Sequence, residues 1–346
     1  MMTDSRVQTG EITHDDALAA VAGAFGLGAV QDVSVIADGL MNRNWRVTTP
    51  VGRFAVKQIL DVDATAARRQ HAATAALAGV GHPVPAPLHT AAGDTLLEHA
   101  GDIYAVVPWI SGGHREGLEL SVAEAGVLGA VLARLHAGLA QVMPPVPGAM
   151  RETPTEAATA MDKIDRYAAA AGQRERRDAM DGFVIAQLSQ RRQLLAQVGH
   201  LRPVEDSDIA PSGWVHGDFQ HLNVLWADGR VSAVLDWDRL KPRPLAAEVI
   251  RSGTLLFGYG DERGLDLARV AAFVTGYRSQ HGLDDAALAD AEHRLWWERV
   301  CDTWQLRRRY EHDDPSCDHL FRSAEALLTW WTANRSAVAA AFCCAA

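Results

Sequence analysis

Asp218, Asn223 and Asp236 are the residues of this 346-residue chain whose types and spacing could do chemistry together. The first two stand in Trp214-Val215-His216-Gly217-Asp218-Phe219-Gln220-His221-Leu222-Asn223-Val224-Leu225, and the third in Val234-Leu235-Asp236-Trp237-Asp238. Phosphoryl transfer needs such a set. One carboxylate accepts the proton of an attacking hydroxyl, while an amide oxygen and a second carboxylate hold Mg²⁺ on nucleotide phosphates. Mg²⁺ prefers one or two carboxylates plus substrate phosphates to a cage of protein ligands, so Asn223 and Asp236 suit it.

The spacing predicts the elements that must carry these groups. Asp218 and Asn223 are five positions apart, which fits neither one face of a strand nor a regular helix, so a loop must aim both. Val224-Leu225-Trp226 reads as a short buried strand. Asp228-Gly229 is a strong hairpin signal, and Val231 to Leu235 is the return strand that delivers Asp236 at its end.

Upstream, the sequence predicts a β-meander. Val33 to Ala37 is its first strand. The polar turn Asp38-Gly39-Leu40-Met41-Asn42-Arg43-Asn44 and the strand Trp45 to Thr49 follow. Gly52-Arg53-Phe54-Ala55-Val56-Lys57-Gln58-Ile59 is the third strand, and it carries a lysine among apolar residues. Gly39 alone makes no Walker pattern.

Taken together, these segments resemble the aminoglycoside phosphotransferase and homoserine/choline kinase group, small-molecule kinases of protein-kinase-like fold. His-Gly-Asp, the five-residue step to Asn and the Asp after a hairpin carry the likeness. Gly39-x-x-Asn42-x-Asn44-Trp45-x-Val47 followed by Phe54-Ala55-Val56-Lys57 adds to it. The resemblance implies an α+β bilobal fold: a small N-terminal antiparallel-sheet lobe over residues 1–110 and a larger, mainly helical lobe over 111–346, with a helical insertion near 150–200. It implies that Asp218 is the catalytic base, that Asn223 and Asp236 bind Mg²⁺, and that His216 braces the loop. Asp238 resembles a second acid of the metal segment. Lys57 would contact the α- and β-phosphates of ATP or GTP, under a cover of backbone amides from Gly39 to Asn42. Backbone groups near Val107 to Trp109, in the strand Tyr104-Ala105-Val106-Val107-Pro108-Trp109, would hold the base edge.

Two positions depart from the family pattern. Glu248 stands where an Asp usually ties down the catalytic loop. Gln70 stands where a helix glutamate usually orients the lysine; the helix, expected over Ala64–Ala78, has no acid. Gln70 is therefore the expected contact of Lys57, with Glu98 as a substitute acid.

Bulk properties set the remaining bounds. The chain is 48% hydrophobic, enough for a full core, and the length suits two lobes of one enzyme. Asp plus Glu number 43 against 33 Lys plus Arg, a net charge of −10, which argues against a nucleic-acid substrate. No signal peptide or membrane span is expected, and four cysteines without a metal-type pair suit a reduced, cytoplasmic protein, monomer or homodimer. Residues 1–12 read as disordered, and Thr13 as the cap of a first helix. Ser121-Val122-Ala123-Glu124 is a capping box opening a helix to about Gln141, in which His136 reads as a packed residue. Helices are expected over 155–171, 176–198, 245–257, 262–279, 284–312 and 317–341.

The acceptor is the open term. Tryptophans 296, 297, 304, 330 and 331 could stack on rings, and acids alternate with arginines in Glu298, Asp302 and Arg307-Arg308-Arg309. A polycationic aminoglycoside needs a site lined with carboxylates. The mixture therefore tilts the expectation toward a less cationic glycoside or nucleoside antibiotic, phosphorylated to give resistance. A primary-metabolite kinase (homoserine, choline or a sugar) is the alternative, and an inactive nucleotide-binding pseudokinase the second.

Overall fold

The structure, a computed structural model, describes residues 14–36, 42–204, 208–343. In chain order it runs α1 (His14–Ala24), β1 (Asp32–Ile36), β2 (Arg43–Thr49), β3 (Gly52–Ile59), α2 (Ala64–Gly79), β4 (Leu97–His99), β5 (Asp102–Pro108), α3 (Val122–Val142), α4 (Ala157–Gln173) and α5 (Ala179–Val198). It continues with β6 (Ser212–Val215), β7 (Val224–Ala227), β8 (Arg230–Val234), β9 (Lys241–Pro244), α6 (Leu245–Leu256), α7 (Leu267–Arg278), α8 (Asp285–Cys301), α9 (Trp304–Glu311), α10 (Asp318–Ala333) and α11 (Arg335–Cys343). The expected disorder of residues 1–12 and the Thr13 cap lie outside the described residues.

Two compact units divide the chain: residues 1–114 with 222–240, and residues 115–221 with 241–346. The hairpin β7–β8 clusters with the first unit, although it is contiguous in sequence with the second. Backbone bonds explain this. Gly113 and Trp226 exchange two hydrogen bonds, and the Val234 N–H donates to the Pro83 carbonyl at 2.7 Å.

The first unit is built on an antiparallel sheet in the order β1-β2-β3-β5-β4. Alternation along its strands makes two apolar faces. Trp45, Val47, Phe54, Val56, Tyr104 and Val106 bury one face under Leu18 and Val21 of α1. On the other, Ile59 and Ala105 pack with Ala67 of α2. Lys57 is paired with Ala105 across β3 and β5 and lies two residues from Ile59, so it shares the face of α2. Asp63 caps α2, accepting from the Ala66 N–H at 2.8 Å. Gly81 at φ +88° ends it, with the His82 N–H returning to the Leu77 carbonyl. Strand β4 is an element that the sequence reading did not include. It is three residues long and turns into β5 through Ala100 and Gly101, both at positive φ. Asp228 and Gly229, at φ 49° and 71°, make the expected hairpin turn between β7 and β8.

In the second unit the Ser121–Glu124 capping box is present, and α3 runs to Val142. This helix is apolar and long enough to cross a membrane, but Leu128, Val131, Leu132, Leu135 and Leu139 are buried within the protein, as in a core helix. It packs on α7 through glycines. A Cβ at Gly129 would overlap the Phe273 carbonyl, and one at Gly276 the Gly126 carbonyl. Gly129→Ala is therefore expected to destabilise the fold by about 1–3 kcal/mol, as overpacking does; urea denaturation measures it.

Two predicted helices are each broken in two. The helix expected over 284–312 stops at Cys301, because Asp302 turns extended, with ψ 137°. Its carbonyl accepts from the buried Arg191, and its carboxylate from the Trp304 N–H, so the break serves a guanidinium that also pairs with Glu325. The helix expected over 317–341 breaks at Asn334, whose side chain donates to the Trp330 carbonyl and competes with the helical ladder. The helix expected from 262 begins at Leu267, after Gly264 at φ +74° and the capping Asp266. Trp296, Trp297 and Trp331 are fully buried, so these three are core residues and offer no face to a ligand. Trp304 is exposed.

Candidate active site

In the first unit one lysine meets two carboxylates. Lys57 Nζ is 2.9 Å from Asp236 Oδ1 and 2.6 Å from Asp238 Oδ2. Burial works against the ammonium, but the two carboxylates outweigh it and raise its proton affinity. For Asp238 the balance is opposite: burial raises its carboxyl above the ordinary range, and Lys57 offsets this only in part. Asn42 Nδ2 donates to the same Asp238 oxygen at 2.6 Å, and its Oδ1 accepts from the Leu60 N–H.

Asp236 is the more exposed acid, 47% against 14% for Asp238. It sits just past β8 at φ 57°, a left-handed conformation that Asp tolerates better than most residues and that is often found at functional sites. Asn223 is buried in the turn just before β7, and its carbonyl accepts from the Leu235 N–H at 2.8 Å. That bond holds Asn223 beside the segment ending in Asp236. Among the described residues no group of three or more His, Cys, Asp or Glu could cage a metal. The donor set fits Mg²⁺ nonetheless: one exposed carboxylate and one amide leave room for phosphate oxygens.

In the second unit the loop after β6 carries Asp218. Gln220 Nε2 donates to Asp218 Oδ2 at 2.8 Å, and Arg251 Nη2 lies 3.3 Å from Oδ1. Glu248, near the start of α6, is the tie that holds this loop. Its carboxylate accepts the His216 N–H at 3.1 Å and the Gly217 N–H, so the longer side chain still reaches. His136 Nε2 bonds the same carboxylate at 2.6 Å, and His136 Nδ1 bonds the Tyr277 hydroxyl at 2.7 Å. Burial opposes charge on Glu248, yet His136, His216 and the Gly217 amide together hold its carboxyl below the usual range. His216 is fully buried, and its Nδ1 accepts from the Asp218 N–H at 3.2 Å.

Several expectations change. The hydrogen bonds of Lys57 go to Asp236 and Asp238 and none to Gln70, whose Nε2 donates to the Asp238 backbone carbonyl at 2.9 Å. Glu98 does not replace it, being exposed on β4 and paired in register with Ile103. The Trp109 N–H donates to the Arg53 carbonyl. Antiparallel alternation then places Val107 in a hydrogen-bonded pair with Ala55, so the backbone groups of both point into the sheet. Val106 and Pro108 point to the other edge, where the Val106 carbonyl accepts from Leu88. Gly39 lies outside the described residues. Arg251 is a residue that sequence reasoning missed. Its signal was its place three residues after Glu248, on the same helix face.

Comparison with known proteins bears on this arrangement. The profile described as the phosphotransferase enzyme family matches residues 32–283. The chain belongs to the phosphotransferase enzyme family. It is thus an enzyme that transfers phosphate to an alcohol group, and its fold is protein-kinase-like. None of the curated proteins matches this phosphotransferase. Among solved structures, an amicoumacin kinase in complex with AMP-PNP, Ca²⁺ and Ami is 18% identical, with 92% of this chain and 94% of that one covered and a TM-score of 0.62. An aminoglycoside phosphotransferase from Alicyclobacillus acidocaldarius is 16% identical over 96% and 98%, with a TM-score of 0.65. A spectinomycin phosphotransferase in complex with ADP and spectinomycin is 13% identical over 92% and 94%, at 0.64. At these identities the likeness is one of fold.

Proposed function

We propose that this phosphotransferase moves the γ-phosphate of ATP or GTP to a hydroxyl of an antibiotic of low positive charge, and so confers resistance. The observation that carries the reading is Asp218, a partly exposed carboxylate on a loop whose backbone Glu248 clamps. Asp218 would accept the hydroxyl proton. Asn223 and Asp236 would hold Mg²⁺, whose chemistry here is charge neutralisation on the phosphates. Lys57 would bind the α- and β-phosphates. Gly39 and Asn42 would flank the phosphates.

Arg251 supports the restriction on the acceptor. Its guanidinium lies against Asp218 and is 46% exposed, so an acceptor brought to Asp218 meets a positive charge. Ammonium groups beside the reacting hydroxyl are disfavoured there. The same arginine suits the carboxylate of a zwitterion such as homoserine, whose net charge is zero, and so favours that metabolite over the cation choline as the second reading. The inactive reading rested on Gln70 alone, and Lys57 has two carboxylate partners.

A phosphate-transfer screen of antibiotics and metabolites, with ATP and GTP in parallel, tests the proposal. Neutral or acidic acceptors are expected to lead. Arg251→Gln should then raise kcat/KM for cationic over neutral acceptors by about fivefold, the size of a partly exposed charge pair of about 1 kcal/mol. A polycationic aminoglycoside as best acceptor, with no change of ratio in the variant, would contradict the restriction.

A further inference from the structure

In this fold a helix acid would be expected to orient the nucleotide lysine, yet α2 contains no Asp or Glu. We propose that Asp238 is the positioning residue that orients Lys57, and that α2 acts through Gln70 as a neutral tether of Asp238. The inference rests on the reading of Lys57 as the nucleotide-binding lysine.

Three observations carry it. The shorter of the two Lys57 ion pairs is to Asp238, at 2.6 Å. The oxygen that takes the lysine also takes the Asn42 amide, so the Asp238 carboxylate is fixed from two sides. The backbone of Asp238 is held as well: the Gln70 amide, 5% exposed, donates to its carbonyl. Next along the chain, Arg239 pairs with Asp61 at 3.2 Å, just ahead of α2. The amide at position 70 donates to that carbonyl; a glutamate there could not, and would be left to turn toward Lys57. Gln70 and Asp238 therefore form a matched pair.

The two acids then divide their work by exposure. Asp236 stands in solvent at a strained φ, ready for a metal and phosphates, and its bond to Lys57 is the one that a nucleotide would replace. Asp238, under Asn42 and Gln70, keeps its bond and fixes the direction of the ammonium. Without it, Lys57 would regain the rotamer freedom of a long side chain, and its phosphate contact would weaken.

The test measures nucleotide affinity by titration calorimetry, together with the ATP KM and the Mg²⁺ requirement. Asp238→Asn is expected to weaken ATP binding and raise its KM by about tenfold, with the half-saturating Mg²⁺ concentration unchanged. Adding Gln70→Glu to that variant places an acid on α2 and should recover most of the loss. Gln70→Ala alone should give a smaller rise in ATP KM, and it serves if Asp238→Asn folds poorly. A raised Mg²⁺ requirement in Asp238→Asn, without recovery by Gln70→Glu, would make Asp238 a metal ligand and overturn the proposal. Unchanged ATP affinity in both single variants would overturn it too. Nucleotide binding is read directly, so these outcomes stand apart from failure of the kinase reading, in which the wild type itself transfers no phosphate.

Discussion

Asp218→Asn is expected to lower kcat for phosphate transfer by about 10²–10⁴-fold, the usual contribution of a positioned general base. The substitution keeps shape and leaves an oxygen for the Gln220 amide, which bonds Oδ2 in the wild type. It removes the lone pair that takes the hydroxyl proton. It also removes the ion pair with Arg251, which is partly exposed and contributes about 1 kcal/mol or less. The variant should therefore fold, bind nucleotide like the wild type and keep its acceptor KM. Steady-state kinetics and a thermal melt read both halves of that expectation. A kcat within about threefold of wild type would remove the base assignment, since a general base contributes far more.

Glu248→Ala should produce the second large effect, on stability and activity at once. The carboxylate accepts two loop amides and a buried imidazole, and that imidazole is bonded in turn to Tyr277. Alanine would strand all of these partners away from water. Breaking a buried pair from one side costs about 3–5 kcal/mol, and the loop carrying Asp218 would lose its clamp. Chemical denaturation should show the loss, and kcat should fall even where the protein is fully folded. Glu248→Asp keeps the charge but is shorter by one methylene, and should recover part of both.

The same residue sets a pH dependence. Its folded carboxyl lies below the ordinary value of 4.5, so the folded state favours the ionised form. Its contribution is fully present above the unfolded value and is lost as pH falls through the lower folded value. Stability of the wild type should therefore decline on the acid side of about pH 4.5 more steeply than that of Glu248→Gln. Equal acid limbs in the two proteins would contradict the role.

Local rules made much of this legible before any coordinates. The hairpin turn, the capping box at Ser121 and the extent of α2 follow from a few adjacent residues, and the structure has them. The chemistry proposed for Asp218, Asn223 and Asp236 rests on type and spacing. What escaped depends on residues far apart in the chain. Lys57 and Asp238 are 181 positions apart, and no pattern of period 2 or 3.6 connects them. The break at Asp302 answers Arg191, 111 residues earlier. The direction of the Val107 and Trp109 backbone depends on register with β3, which strand propensity does not state. Arg251, on which the proposed acceptor restriction leans, escaped for the same reason: it acquires meaning only beside Asp218.

The most direct measurement is acceptor-dependent transfer of labelled γ-phosphate by the wild type and Asp218→Asn, run side by side on the best hydroxyl acceptor from the screen. The account predicts a phosphorylated acceptor with the wild type and almost none with the variant, at equal nucleotide binding. Equal transfer by both proteins, or nucleotide binding with no acceptor phosphorylated by the wild type, would contradict it.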